Sequence, residues 1–229
     1  MKIAIMQPYF FPYLGYFQLI NSVDIFIVYD DVNFKKRHWI SRNRILLQER
    51  AHRLTLNLTK SSQNKKINEI EIIGNHEKLI KTIYHSYRKA PFFSKNFSII
   101  QEILENDERN LAKFLFNSIV LMMKILGIQT ELLFSSQISY NRTLNGQGKI
   151  LDICSQLGAD FYVNLFGGIS LYNHEAFSKK GVKLQFLKCI PLEYRQFNCK
   201  FIPHLSIIDL LMHNSTKRIR ELLYSFKLV

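Results

Sequence analysis

Lys2-Ile3-Ala4-Ile5-Met6 and Asp24-Ile25-Phe26-Ile27-Val28-Tyr29 are two short apolar runs, and between them lies Phe11-Pro12-Tyr13-Leu14-Gly15-Tyr16-Phe17-Gln18-Leu19-Ile20. The runs are rich in β-branched and aromatic residues without alternation, which is how strands buried on both faces read. The middle stretch starts at a proline, which suits the first turn of a helix. Strand, Pro-led helix and strand within thirty residues make a βαβ unit. Such a unit implies a parallel sheet and a right-handed crossover.

The same alternation returns near the other end. Residues 131–134, 160–164 and 182–187 read as strands, and 148–157 and 173–179 as helices. In between, 42–48 and 52–58 suggest an antiparallel hairpin, with Leu54, Leu56 and Leu58 alternating with polar residues. A further strand is expected at 70–73. Apolar residues at helical spacing mark helices at 77–89, 94–104 and 108–126, with Gly127 as a C-cap. Residues 206–214 and 216–226 read as closing helices. The expected architecture is one α/β domain over 1–229. It has a Rossmann-like, mainly parallel sheet, a β-hairpin and a packed helical portion at about 77–127.

Composition narrows the function classes. The 229 residues carry 31 Lys and Arg against 18 Asp and Glu, a formal charge of +13. With 47% hydrophobic and 21% charged residues, this is a folding chain rather than a disordered one. The positive charge suits a phosphate-bearing partner, and it equally fits a Lys-, Asn- and Ile-rich composition with cations spread along the chain. Three cysteines without a CxxC pair argue against a disulfide framework or a cysteine zinc site. No apolar run reaches the ~18 residues of a spanning helix, and Gln7-Pro8 breaks the N-terminal run before a signal peptide forms. A cytoplasmic protein with no transmembrane segment is expected. No GxSxG, Walker loop, GxGxxG or HExxH occurs, so the common hydrolase, P-loop, dinucleotide and zincin readings lose their support.

Ligands of open α/β sheets bind beyond the carboxyl ends of the strands. The loop after the first strand contains Gln7, and the helix that follows offers its N-terminus to an anion. The second strand runs into Asp30-Asp31, a pair suited to a general base or a divalent ion. Next come Lys36, Trp39, Arg42, Asn43 and Arg44, cations for phosphate beside an aromatic plane for a base or sugar. Asn164 ends a later strand before Gly167-Gly168, where backbone can approach a ligand closely. His204 precedes a late helix and is a candidate acid/base, with Ser206 as the helix N-cap. No metal-ligand set is evident, since Asp209 and His213 at i,i+4 lack a third partner.

Two resemblances sharpen this reading. Pro12-x-x-Gly15-Tyr16-x-x-Leu19-Ile20 resembles the HxGH segment of class I adenylyl-transferring enzymes such as pantothenate synthetase. Tyr13 and Tyr16 stand where those enzymes have histidines, and a phenol cannot carry imidazolium charge. This likeness places Tyr16 and Gln7 beside a nucleotide and makes ATP and Mg²⁺ the candidate cofactors. The second likeness runs nearly the whole chain. Ile5-Met6-Gln7-Pro8-Tyr9-Phe10-Phe11-Pro12-Tyr13-Leu14-Gly15-Tyr16-Phe17, Val28-Tyr29-Asp30-Asp31-Val32-Asn33-Phe34 and Trp39-Ile40-Ser41-Arg42-Asn43-Arg44-Ile45 carry it. Lys89-Ala90-Pro91-Phe92-Phe93 and Phe201-Ile202-Pro203-His204-Leu205-Ser206-Ile207-Ile208-Asp209 extend it. Together they resemble the WbqC-like family of bacterial proteins.

That resemblance implies a place in bacterial surface-polysaccharide (O-antigen) biosynthesis. The expected activity is transfer of an acyl or aminoacyl group to an amino sugar or its nucleotide-linked form. Asp30, Asp31 and His204 are the catalytic candidates, and the small-molecule partner is a nucleotide or nucleotide sugar. Two alternatives stand beside it. One is a metal-dependent glycosyltransferase-like enzyme using Asp30-Asp31, although adjacent acids in extended chain point apart. The other is a basic nucleic-acid-binding module, a less favoured partner class whose affinity would fall steeply with salt.

Overall fold

The computed structural model describes residues 1–74 and 76–229. β1 (Lys2–Met6) leads through α1 (Leu14–Asn21) to β2 (Ile25–Val28), and the strands pair in parallel from Ile3↔Ile25 to Met6↔Val28. The helix starts two residues beyond Pro12, behind an extended Tyr13. Gly15 is required at its first turn. A Cβ there would lie 2.5 Å from the Tyr13 ring and 2.8 Å from the Cys189 sulfur, closer than any side chain tolerates.

The chain then leaves the sheet. β3 (Arg42–Leu47) and β4 (Arg50–Thr55) form the hairpin. Its two-residue turn, Gln48 and Glu49, has φ of 49° and 59°, a left-handed pair normally made by Asn-Gly. The sequence reading put the second strand at 52–58 because this turn carries no such signal. Leu58–Thr59 instead pairs separately as β5 with β6 (Glu71–Ile72).

Three helices follow: α2 (Glu77–Tyr87), α3 (Phe93–Leu104) and α4 (Leu111–Leu126). Asn110 caps α4 by accepting from the Lys113 N–H, and Gly127 at φ 74° closes it. This block holds the hairpin from behind. The buried Tyr87 hydroxyl accepts from the Leu46 N–H at 2.9 Å and donates to Asp209 at 2.8 Å.

The sheet resumes with β7 (Glu131–Phe134), α5 (Gln147–Gln156), β8 (Phe161–Leu165), α6 (His174–Ser178) and β9 (Lys183–Cys189). It closes with α7 (Ile207–His213), α8 (Thr216–Leu222) and β10 (Phe226–Leu228). The last helix stops four residues short of the expected 226. Phe226, Lys227 and Leu228 pair antiparallel with Cys189, Lys188 and Leu187, an edge strand too short to show a period.

Among the described residues the main sheet has six strands in the order β10-β9-β8-β1-β2-β7, all parallel except β10. Counted along the sheet's own strands this is 3-2-1-4-5-6, the Rossmann order. Both faces are covered. Ala4, Phe26 and Val28 face α1, the hairpin and the helical block, while Ile3, Ile5 and Ile27 face Ile150, Ile153 and Phe177. That explains the unalternated apolar strands of the sequence. Among the described residues no helix is long and apolar enough to cross a membrane, and the three cysteines are free.

Candidate functional site: an arginine-lined pocket at the carboxyl edge of the sheet

The strand order reverses between β1 and β8, so ligands are expected outside the carboxyl ends of those strands. The two pair only through Lys2↔Phe161 and Ile3↔Tyr162, whereas β8 and β9 pair along their shared length. β1 and β8 therefore part before their carboxyl ends. Gln7 stands at this opening, half-buried, with no hydrogen bond from its side-chain amide to another described residue. Asn164 across from it is fully used. Its amide donates to the Tyr162 and Tyr172 hydroxyls, and its carbonyl accepts from the Leu165 N–H at 2.7 Å. Gly167 and Gly168 follow in a short 3₁₀ turn, Phe166–Leu171. A Cβ at Gly167 would meet nothing within 4 Å, so this position is open rather than sterically demanded.

The acidic pair is buried and held by hydrogen bonds. Asp30 Oδ1 accepts from the Ser135 hydroxyl and the Ser136 N–H, each at 2.9 Å, and Oδ2 from Asn68 at 3.0 Å. Asp31 Oδ1 lies 2.6 Å from the same Ser135 hydroxyl, whose single proton the two acids share, and Oδ2 accepts from the Tyr140 hydroxyl at 2.7 Å and from Arg142, with which it forms an ion pair. Both acids are buried. Every carboxylate oxygen has a protein donor within reach, and Asp31 also lines a second cavity of about 440 Å³ with Tyr29, Lys66, Lys149 and Tyr172. Among the described residues no group of three or more His, Cys, Asp or Glu has metal-binding geometry.

The basic stretch is the opposite. Arg37, His38, Trp39, Arg42, Asn43, Arg44 and Arg53 line a cavity of about 650 Å³. Arg44 and Arg53 stand directly opposite each other in the hairpin register, and Arg42 is two residues along the same face. Like charges placed opposite each other destabilise a strand pair. None of the ion pairs among the described residues involves these arginines, and none of their guanidinium groups donates a hydrogen bond to a described residue. The Nε atoms of Arg42 and Arg44 and the Nδ1 of His38 are buried without a partner. The Arg44 guanidinium lies 5.6 Å from the Trp39 ring, which is 40% exposed. Unpaired buried donors around an open cavity fit an anion.

Backbone contacts tie this pocket to the loop after β1. The Phe10 N–H donates to the Trp39 carbonyl at 2.9 Å, and the buried Asn43 amide donates to the Phe10 and Phe11 carbonyls at 2.9 and 2.6 Å. Ser206 completes the clamp, giving its hydroxyl to the Phe11 carbonyl and its N–H to the Arg44 carbonyl, each at 2.8 Å. Phe11, Arg37 and His204 all hold positive φ, at 43°, 60° and 57°. Three non-glycine residues in that region around one pocket represent stored backbone strain, of order 1–3 kcal/mol each.

The expected residues thus divide. Trp39, Arg42, Asn43 and Arg44 share one pocket, Asn43 as its clamp rather than as an open amide. Tyr16 is fully buried and its hydroxyl donates to the Gln7 carbonyl at 3.0 Å, so it shapes the loop. Lys36 is exposed beside the pocket without lining it, and His204 is exposed two residues before Ser206. Sequence reading passed over Arg37, His38 and Arg53. The signal for Arg53 was its register opposite Arg44, which depends on where the hairpin turns. Burial and the Lys35 charge hold the His38 imidazole below its usual range. Its neighbour Tyr9, ring centroids 5.6 Å apart, has its phenol pushed up to about 12 by burial.

Comparison with known proteins fits this picture of a shared framework. The model of the WbqC-like protein family matches residues 7–221. The chain belongs to the WbqC-like protein family. The match takes in the first loop, the acidic pair, the arginine pocket and the 201–209 segment. A relative in Mycobacterium tuberculosis (strain ATCC 25618 / H37Rv), "Uncharacterized protein Rv1507c", is 28% identical over 217 residues, covering 93% of each chain. No solved structure matches this WbqC-like chain significantly.

Proposed function

We propose that this WbqC-like protein is a transferase of bacterial surface-glycan (O-antigen) biosynthesis. It adds an acyl or aminoacyl group to an amino sugar or, with more support, to its nucleotide-linked form. The observation that carries the reading is the pocket of Arg37, Arg42, Arg44 and Arg53, which has no carboxylate partner and sits beside the exposed Trp39. Guanidinium groups bind phosphate oxygens in pairs of hydrogen bonds, and an indole face stacks on a base. A nucleotide sugar brings both features. Preorganised cations also stabilise charge that develops during transfer. Gln7 faces the switch-point opening, where the sugar end of such a ligand would lie. The protein works in the cytoplasm on this reading, where nucleotide sugars are made.

A thermal-shift panel tests it. Nucleotide sugars should raise Tm saturably, by an amount that follows ligand concentration over Kd. ATP with Mg²⁺, inorganic pyrophosphate and bulk tRNA complete the panel, each at two salt levels. A response to tRNA alone, steeply lost with salt, would replace the reading with nucleic-acid binding. For the transfer itself, mass spectrometry should show one acyl group gained by a nucleotide-linked amino sugar supplied with an activated acyl donor.

A further inference from the structure

We propose that His38 is the proton-transfer residue of the arginine pocket, a deeper reading of the site that rests on the transferase proposal above. Its placement is the reason. His38 lines the same cavity as the arginines, its ring packs edge-on against Tyr9 of the first loop, and neither ring nitrogen has a hydrogen-bond partner among the described residues. Nδ1 is buried, which leaves Nε2 as the nitrogen open to a ligand. The other candidate bases are worse placed. Asp30 and Asp31 are held by hydrogen bonds to neighbouring side chains, and neither they nor His204 line this cavity.

The chemistry follows from balance. An amine on the sugar attacks the carbonyl carbon of an activated acyl donor, a thioester or acyl ester. The N–C bond forms, and the bond from carbon to the leaving group breaks with its electron pair on the leaving group. The amine proton passes to Nε2 of His38, which returns it to the leaving group. A base does this best when its pKa lies near the working pH.

Electrostatics couple that pKa to the ligand. Arg37, Arg42, Arg44 and Arg53 line the cavity with His38, and Lys35 and the Tyr9 ring stand beside it. Burial and the Lys35 charge both disfavour imidazolium. A phosphate bound on the arginines adds negative charge and raises the imidazole back toward neutrality. Ligand entry therefore turns a weak base into a competent one.

Histidine-labelled protein tests this by NMR between pH 5 and 8, with inorganic pyrophosphate as the probe and Tm as an independent readout of binding. His38→Gln assigns the His38 signal, and the exposed His52, on the outer part of the same hairpin, is the control. The expected result is a His38 midpoint below the ordinary histidine value that moves to higher pH with pyrophosphate, while His52 stays put. If pyrophosphate raises Tm and the His38 midpoint does not move, the His38 assignment is overturned and the pocket survives. If pyrophosphate neither raises Tm nor moves any signal, the arginine pocket itself fails. His38→Gln should keep the pyrophosphate-induced Tm rise at pH 8, where the wild-type imidazole is neutral. Loss of that rise in a folded variant would make His38 an anion-binding residue and overturn its assignment as the proton-transfer group.

Discussion

Two charged clusters follow β2 within twenty-five residues, and they are built on opposite rules. Asp30 and Asp31 are buried and hydrogen-bonded on every oxygen, and Asp31 is also ion-paired with Arg142. Arg37, Arg42, Arg44 and Arg53 crowd one another around a cavity with no counter-charge. A charge that is satisfied inside the fold holds the fold together. A charge left unsatisfied costs stability, and its retention at such a place needs a ligand to explain it. The acids join β2 to the segment after β7. The arginines stand on a hairpin that the sheet does not need for its own pairing.

Substitution should expose this contrast, most strongly on the acidic side. Asp31→Ala takes the acceptor from the Tyr140 hydroxyl and the ion-pair partner from Arg142, which keeps only the Ser136 and Ile138 carbonyls. The loss should be about 1–3 kcal/mol, the cost of leaving a buried polar group unsatisfied, read by urea unfolding. A loss under about 1 kcal/mol would mean that the acidic cluster is not structural and would reopen it as a site.

Arg42→Ala should invert the pattern. Stability should stay within about 0.5 kcal/mol of wild type, because the side chain has no protein partner to lose. Binding of pyrophosphate should fall by about 1.5–3 kcal/mol, the worth of a charged hydrogen bond, measured by calorimetry. Arg44→Ala should behave alike, with a slight gain in stability from relieving the Arg44–Arg53 apposition. Equal losses of stability at Arg42 and Asp31 would erase the comparison.

Asn43 sits on the boundary between the two rules. It lines the pocket and is also saturated, so Asn43→Ala should cost about 1–3 kcal/mol of stability and weaken anion binding only through the loosened loop. Trp39→Ala should give the smallest effect. It should leave pyrophosphate affinity unchanged and reduce nucleotide affinity by about 0.5–1.5 kcal/mol. That difference between two ligands in one calorimetry series sharpens the assignment of Trp39 to a base.

Much of the fold was legible because burial leaves a plain trace. Ile25-Phe26-Ile27-Val28 lies covered on both faces, and such a strand shows as an unbroken apolar run. Pro12 and Gly127 marked helix ends by local chemistry that needs no distant contact. The hairpin boundary was hidden because Gln48 and Glu49 adopt a left-handed turn without the residues that usually announce one. β10 was hidden because three residues carry no period. At the site, the cluster of Trp39, Arg42 and Arg44 was readable from proximity along the chain. The roles of Asp30, Asp31 and Tyr16 were not, since hydrogen bonds to Ser135, Tyr140 and the Gln7 carbonyl reach across the chain or depend on how a loop turns.

The sequence by itself determined the parallel α/β framework, its hairpin and helical block, and the place of its charges beyond the second strand. Those features depend on patterns local to a few residues. Only the tertiary structure decided which of those charges are satisfied and which face an open cavity. Satisfaction is a property of partners, and the partners of Asp31 lie more than a hundred residues away, whereas the buried Nε atoms of Arg42 and Arg44 have no hydrogen-bond acceptor among the described residues.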